Sequence, residues 1–316
     1  MLPCQKLINE KEKQKGDVTL IKTLAKLLEK ASHTTEACVS VAAAHDPHVL
    51  EAVWMASEAG IADFILVGDE EKIEGYAKEL GMDCSRFEII HEVDDEMACA
   101  IAVDQVRVGL ATALMKGLVD TSVIMKAVLH RERGIRGGNK LTHLAAFEVS
   151  AYHKLLFVTD AAINIAPDLK GKQEIIQNAV DAVTNLGVVQ PKVALLAAVE
   201  KVNESMPVTL EYQELIQMAK NGEITDCILD GPLALDNAVS YESAEIKGID
   251  SEVAGDADIL VCPDIEAGNI LYKALVFLAN AKNGGVVLGA KRPIILTSRA
   301  DSSESKLISI ALGILM

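Results

Sequence analysis

Short apolar, β-branched runs alternate with helical patterns through most of this 316-residue chain. The run 63–67, for example, precedes a segment 70–80 in which apolar residues recur at helical spacing. Such alternation is typical of a parallel sheet with helices on both faces. Half of the residues are apolar and only 3% are aromatic, which favours buried aliphatic strands over an aromatic-rich β-sandwich. The sequence therefore predicts an α/β fold.

The order of these elements also predicts how the domains are arranged. A chain of this length exceeds the ~250–300 residues that usually share one core, so two domains are expected. The Gly-rich, basic segment 131–140 breaks the alternation and is interpreted as a junction, although a solvated loop is the alternative. The stretch 282–289 contains three glycines and is interpreted as a connection. A last strand and helix follow a second complete α/β unit, and we expect them to return to the first sheet. We therefore assign residues 1–138 and 289–316 to the first domain, and residues 139–288 to an inserted second domain.

The last predicted strand, 293–297, leads into Ser298 and Arg299 before a helical pattern begins. The carboxyl ends of strands are where open α/β sheets hold ligands, and a helix start can receive an anion. Asp301 and Glu304 have the spacing of a capping box, which needs no ligand. The capping box does not account for Ser298 and Arg299, because both residues precede it.

Further polar residues follow other predicted strands, and we expect them to line one edge of the sheets. They are Lys116, Asp160, Asp230 and Asp264. No G-x-G-x-x-G, P-loop or G-x-S-x-G motif accompanies them, which argues against a Rossmann dinucleotide site, a P-loop and a nucleophile elbow.

The net charge of −16 argues against a nucleic-acid surface, because phosphate contacts need a basic face. The six cysteines show no C-x-x-C spacing and are predicted to be reduced thiols, as in a cytoplasmic protein. No stretch reaches the ~18 uncharged residues of a membrane span. The N-terminus lacks the apolar core of a signal peptide.

Several segments together resemble the phosphate acetyl/butyryltransferases, over nearly the whole chain and in the same order. They are Ser298-Arg299-Ala-Asp-Ser-Ser-Glu-Ser-Lys306, Pro263-Asp264-Ile-Glu-Ala-Gly268-Asn269-Ile270, Asp230-Gly231-Pro-Leu-x-x-Asp236 and Val106-Arg107-x-Gly109. The run Met115-Lys116-Gly117 looks more like the butyryl branch than the acetyl branch. The resemblance implies two three-layer α/β/α domains, the second inserted in the first, as in the isocitrate/isopropylmalate dehydrogenases.

The resemblance also implies reversible acyl transfer between coenzyme A and phosphate, by direct attack through a tetrahedral transition state in the interdomain cleft. Arg299 then looks like the phosphate-binding arginine and Ser298 like the hydroxyl that stabilises the oxyanion. Glu304 is the first candidate for the base and Asp301 the second. Substrate-binding roles are predicted for Arg107, Lys116, Lys126, Arg133, Arg136, Asp264 and Asn269. Lys126 stands where the acetyl branch has an arginine, which replaces a bidentate fork with a point charge.

No metal or redox cofactor is needed for this chemistry, coenzyme A is a substrate, and a homo-oligomer is expected. Phosphate acetyltransferase is an alternative activity, since acyl-chain length cannot be inferred here. A metal- and NAD-dependent hydroxyacid dehydrogenase on the same fold would use Asp230, Asp236 and Asp264, but would leave the Ser298–Arg299 turn without a purpose. The third alternative is a non-catalytic coenzyme A sensor. The acyltransferase hypothesis requires the basic segment and the Ser298 turn to face one another across a shared groove.

Overall fold

The computed structural model describes residues 21–34, 37–299 and 301–316. The expectations for the N-terminus and Cys4 lie outside these residues. The described strands are β1 (Cys38–Ala42), β2 (Asp63–Gly68), β3 (Glu88–His91), β4 (Ala113–Lys116), β5 (Thr142–Glu148), β6 (Leu156–Thr159), β7 (Lys192–Leu196), β8 (Ile228–Leu233), β9 (Ile259–Val261), β10 (Lys282–Leu288) and β11 (Ile294–Ile295). The described α-helices are α1 (Leu24–Ser32), α2 (Pro47–Glu58), α3 (Glu70–Leu80), α4 (Asp95–Arg107), α5 (Thr121–Val128), α6 (Leu169–Asn185), α7 (Val208–Lys220), α8 (Leu235–Val239), α9 (Tyr241–Ile246), α10 (Ile265–Phe277) and α11 (Ser303–Leu315).

The strands form one large sheet, which confirms the predicted α/β class. Within the described residues the sheet has eleven strands in the order β3-β2-β1-β4-β11-β10-β5-β6-β9-β7-β8. The last strand, β11, pairs in parallel with β4, so the chain does return to its first half. Hydrogen bonds through β10 join the two halves into a continuous sheet, where separate sheets were expected. The domain boundaries at residues 138 and 288 stay a prediction.

The two halves of the sheet run in opposite directions. Strands β1, β2, β3, β4 and β11 are parallel to one another, and so are β6, β7, β8 and β9. Between them, β10 is antiparallel to β11 and β5, and β5 is antiparallel to β6. The carboxyl ends of β4 and β11 therefore lie at the opposite edge from those of β6 and β9. The expectation that all the polar strand ends share one edge is wrong.

Strand β10 is the strand that the sequence pattern misses. Gly284 lies where α11 crosses the strand, and a Cβ atom there would come within 2.6 Å of Ile308 and 2.8 Å of the Ser309 nitrogen. Gly285 lies under the ring of His143, where a Cβ atom would be 2.9 Å from Nε2. The glycines therefore permit close packing on a strand, although glycine normally weakens one. Helix α11 covers this strand and also contacts α1 and α2.

Candidate active site

The turn between β11 and α11 is held by its own hydrogen bonds. The Ser298 backbone N–H donates to Asp301 Oδ2 at 2.7 Å, and the Asp301 N–H donates to the Ser298 carbonyl at 3.1 Å. Ser302 caps the helix by accepting from the Ser305 N–H at 3.1 Å. Asp301 and Glu304 therefore do not form the capping box that their spacing allows, and Asp301 instead fixes the position of Ser298.

Lys306 supports the same turn from the first part of α11. Its ammonium donates to the Ser298 carbonyl at 3.3 Å and to the Asp301 carbonyl at 2.5 Å. The residue is only 2% exposed. Burial lowers the pKa of its ammonium, while the charges of Asp301 and Asp46 act in the opposite sense. The turn is thus attached to a buried cation.

Three cations meet beside Ser298 in a small recess of about 10 Å³, lined by Lys116, Lys306 and Arg299 together with Asp46 and Gly117. Lys116 is buried and donates to the carbonyls of Gly117 at 3.2 Å and Val119 at 3.0 Å. Burial lowers the pKa of its ammonium, and the charges of Arg299 and Lys306 lower it further. This cluster can receive an anion, which would relieve the repulsion among its cations.

Arg299 lies at the open side of this recess. Its guanidinium pairs with Asp120, which precedes α5, at an Nη2–Oδ1 distance of 3.1 Å. Both side chains are well exposed, at 62% and 76%. An exposed pair of this kind contributes only about 0–1 kcal/mol, so an incoming anion can displace the carboxylate at little cost.

A larger cavity of about 240 Å³ adjoins the other side of Ser298. It shares Thr297 and Ser298 with the recess, and its walls also include Asp301, Thr121, Leu296, His143, Ala161, Ala162, Asn269, Tyr272 and Lys273. Ser298 therefore lies between a cationic recess and a mostly uncharged cavity. That arrangement suits a reaction in which an anion and a neutral group meet at one hydroxyl.

His143 lines this cavity and is buried, and Asp160 holds its backbone. Asp160 accepts from the His143 backbone N–H at 3.1 Å and from Asn164 Nδ2 at 2.6 Å. The His143 ring is 4% exposed, and its Nδ1 has no hydrogen-bond partner among the described residues. Burial lowers the pKa of the imidazole, against the opposing charges of Asp160 and Asp301. The ring is therefore neutral at pH 7.

A separate cavity of about 540 Å³ lies between α4 and α5 and contains Arg107, Arg133 and His130. Its floor is apolar, with Met97, Ile101 and Ala127. Arg107 pairs with Asp104 on the same helix. Helix α5 links this cavity to the Ser298 cavity, because Ala127 lines the first and Thr121 the second. The six residue steps from Thr121 to Ala127 correspond to a rise of about 9 Å along the axis of α5.

The structure places the other predicted site residues in different surroundings. Lys126 pairs with Glu96 at 3.0 Å, and Glu304 pairs with Lys282 at 2.7 Å, all four being exposed. Neither Lys126 nor Glu304 lines either cavity at Ser298. Asn269, in contrast, lies in the cavity wall and donates to the Ala161 carbonyl at 3.2 Å.

The shared groove expected between the basic segment and the Ser298 turn is not formed, and that part of the acyltransferase hypothesis is wrong. The cations beside Ser298 are Lys116, Lys306 and Arg299 instead. No residue of 131–140 lines the two cavities that contain Ser298. The reason is topological, because the segment leads into the start of β5, beside the end of β10, whereas Ser298 follows the end of β11. Arg136 is exposed, and Arg133 contributes to the cavity between α4 and α5 instead.

The three aspartates of the dehydrogenase alternative do not converge. Asp264 caps α10, accepting from the Ala267 N–H, and borders a third cavity of about 800 Å³. Asp236 pairs with Lys247, and Asp230 accepts from the Gly231 N–H. Among the described residues, no group of three or more His, Cys, Asp or Glu side chains could hold a metal ion.

Two residues at the site were not singled out from the sequence. Lys306 directly precedes the apolar helical run that begins at Leu307, and His143 directly precedes the apolar strand run that begins at Leu144. Lysines and histidines in such positions are also common on protein surfaces, so the sequence does not reveal that Lys306 and His143 are buried. Among the described helices none is long and apolar enough to cross a membrane.

Comparison with known proteins identifies clear relatives. A family model described as Phosphate acetyl/butaryl transferase matches residues 22–100 and 92–314. A Clostridium acetobutylicum protein named phosphate butyryltransferase is 45% identical over 297 residues, which cover 94% of this chain and 99% of that protein. A Thermotoga maritima protein named phosphate acetyltransferase is 44% identical over 275 residues, which cover 87% and 93%. The crystal structure of a branched-chain phosphotransacylase from Enterococcus faecalis V583 aligns with a TM-score of 0.78 at 34% identity, covering 88% of this chain and 98% of that one.

Proposed function

We propose that this chain, which belongs to the phosphate acetyl/butyryl transferase family and is a phosphate acyltransferase, acts on butyryl groups. The proposed reaction converts butyryl-CoA and phosphate to butyryl phosphate and coenzyme A, and it is reversible. The observation that carries the site assignment is the position of Ser298 between the cationic recess and the 240 Å³ cavity. A homo-oligomeric state and a cytoplasmic location remain predictions.

The reaction requires a single displacement at the acyl carbon. A phosphate oxygen attacks the thioester carbonyl, the new C–O bond forms, and the C–S bond breaks as coenzyme A leaves and takes up a proton. In the reverse direction the thiol gives its proton to a base and attacks the acyl phosphate. Atoms and electrons balance without a further reactant, and the proposal therefore invokes no metal or redox cofactor.

Phosphate is proposed to bind at the mouth of the recess. Arg299 offers a planar fork of donors that matches phosphate oxygens, and Lys116 and Lys306 add positive charge behind it. In a chain with a net charge of −16, this local grouping of cations opposes the repulsion of an anionic substrate.

Ser298 is proposed to donate its hydroxyl to the oxyanion of the tetrahedral transition state. Its backbone is fixed by Asp301 and Lys306, so the donor is held in place before charge develops. One such donor contributes about 2.7–4 kcal/mol in other enzymes.

Asp301 becomes the preferred base, ahead of Glu304. Asp301 lines the 240 Å³ cavity, whereas Glu304 is paired with Lys282 on the exposed side of α11. A base must reach the proton that it abstracts, so geometry favours Asp301.

Coenzyme A is proposed to extend along α5. Its phosphates would contact Arg107 and Arg133 in the cavity between α4 and α5, and its thiol would reach Ser298 in the cavity that contains Thr121 at the start of α5. Lys126, Arg136 and Asp264 line neither of these two cavities, and their substrate contacts stay predictions.

The proposal is tested by measuring thiol release from butyryl-CoA as a function of phosphate concentration. Arg299→Gln should raise the KM for phosphate at least about tenfold, the loss of roughly 1.4 kcal/mol of binding, while the KM for butyryl-CoA changes less. Arg292→Gln, an exposed arginine before β11, is the control and should leave both constants unchanged. Phosphate-independent thiol release by the unmodified protein, or an unchanged phosphate KM in the Arg299 variant, would contradict the assignment.

A further inference from the structure

The wall of the 240 Å³ cavity is suited to an aliphatic group. Its apolar part consists of Ala161, Ala162 and Leu296 with the rings of Tyr272 and His143. The Tyr272 hydroxyl accepts from Asn283 Nδ2 at 2.6 Å, so its polar end is already satisfied by β10. The rest of the lining, besides Ser298, is polar or charged and comprises Thr121, Asn269, Thr297, Lys273 and Asp301.

The two rings are fixed in position. The Tyr272 ring lies 5.2 Å from Phe147 and 6.1 Å from His143, both in edge-to-face arrangements. His143 is held through its backbone, since its N–H donates to Asp160 and its carbonyl accepts from Thr159 Oγ1 at 2.8 Å. A rigid wall of this kind can discriminate between chains that differ by one or two methylenes.

Distance from the reacting atom decides which cavity can hold the acyl chain. The chain is attached to the carbonyl carbon that Ser298 contacts, and the remaining three carbons of a butyryl group extend roughly 4 Å, at about 1.5 Å per bond. The third cavity, about 800 Å³ and bordered by Ala198, Met206 and Leu235, has no residue of the Ser298 turn in its lining. It therefore cannot receive a chain of this length from that carbon.

We infer that the 240 Å³ cavity is the acyl-chain pocket, and that Ala162, Leu296 and Tyr272, with the His143 ring, set the acyl-chain length that the enzyme accepts. This inference rests on the proposed phosphate acyltransferase reaction. It assigns specificity within a family whose relatives are named for acetyl, butyryl and branched-chain groups at 34–45% identity to this chain.

Substitution of Ala162 tests the pocket by filling it. Ala162 is exposed in the cavity wall, so Ala162→Leu should fold normally. We expect the ratio of kcat/KM for butyryl-CoA to that for acetyl-CoA to fall by about tenfold or more, as for other pockets that lose room for methylenes. A ratio measured on one preparation does not depend on the fraction of active protein.

Leu296→Ala should have the opposite effect, raising kcat/KM for hexanoyl-CoA relative to butyryl-CoA. The matched control is Ala198→Leu, the same substitution at an exposed alanine of the 800 Å³ cavity, which should leave every ratio unchanged. Unchanged ratios in Ala162→Leu, or a shifted ratio in Ala198→Leu, would overturn the pocket assignment while leaving the reaction intact. If the unmodified protein shows no phosphate-dependent turnover of any acyl-CoA, the proposed function itself is wrong and the pocket assignment is withdrawn with it.

Discussion

Lys306 is a buried cation whose hydrogen bonds define the turn that presents Ser298. Lys306→Met keeps the length of the side chain but leaves the carbonyls of Ser298 and Asp301 without this donor. We expect the free energy of unfolding to fall by about 1.5–3 kcal/mol, the usual cost of losing hydrogen bonds to a charged group. Because the turn also loosens, kcat should fall as well. Urea denaturation and steady-state kinetics measure the two effects.

The control for this substitution is Lys282→Met. Lys282 lies on β10 and pairs with Glu304 of α11, but the pair is exposed, so its loss should cost no more than about 1 kcal/mol. Equal destabilisation by the two variants would show that the buried lysine has no special role in the turn.

His143 should make stability depend on pH. Burial lowers the pKa of its imidazole below the ordinary 6.5, despite the opposing charges of Asp160 and Asp301. The unfolded state therefore binds a proton at a higher pH than the folded state does, and the free energy of unfolding falls as pH drops below about 6.5. One such group contributes at most about 1.4 kcal/mol per pH unit.

Comparison with His143→Asn isolates this contribution, because asparagine does not titrate. Between pH 7.5 and pH 5.5 we expect the unmodified protein to lose more stability than the variant, as measured by urea denaturation at each pH. Parallel loss in both proteins would assign the pH dependence to other groups.

At the residue scale, the sequence was most informative where side chains follow a strand directly. Ser298, Arg299 and Lys116 are assigned from their positions after predicted strands, and the structure brings them together. Lys306 and His143 were not singled out, because their importance depends on being buried beside residues that are distant in the chain. The preference for Glu304 over Asp301 came from the family resemblance, and the salt bridge to Lys282 that occupies Glu304 depends on the fold of β10.

At the scale of elements, β10 is the strand that propensity alone does not predict. Gly284 is needed because α11 lies directly on the strand, and this need arises only after the last helix returns to the sheet. The parallel strands in the two halves of the sheet were predictable because each has a short apolar run that a helix follows later in the chain. The short helices α8 and α9 were also missed, since five or six residues carry little periodic signal.

Gly284→Ala tests the packing of α11 on β10. The added methyl group would lie 2.6 Å from Ile308 Cγ2 and 2.8 Å from the Ser309 nitrogen, so the helix must shift. We expect destabilisation by about 1–3 kcal/mol, as for other overpacked cores. Gly138→Ala, where a Cβ atom meets nothing within 4 Å, should change stability by less than about 1 kcal/mol. Thermal or urea unfolding of the two variants gives the comparison, and an unaffected Gly284 variant would contradict the close contact.

At the scale of the whole molecule, the proposed coenzyme A site joins two cavities that have no lining residue in common. Arg107 and Arg133 lie in one and Ser298 in the other, with α5 between them. The net charge of −16 repels a polyanionic coenzyme, so local arginines should have a large share in binding it. Arg107→Gln and Arg133→Gln should each raise the KM for butyryl-CoA by up to about tenfold, with little change in the KM for phosphate.

A truncated thioester separates this prediction from a general loss of activity. Butyryl-N-acetylcysteamine carries the same acyl group and sulfur but lacks the nucleotide phosphates, so it has nothing to offer Arg107 and Arg133. Both variants should therefore turn it over as the unmodified enzyme does, whereas Arg299→Gln should still raise the phosphate KM with either thioester. If the Arg107 and Arg133 variants impair the truncated substrate as strongly as butyryl-CoA, those arginines act through the structure of α4 and α5, and coenzyme A must follow another path to Ser298.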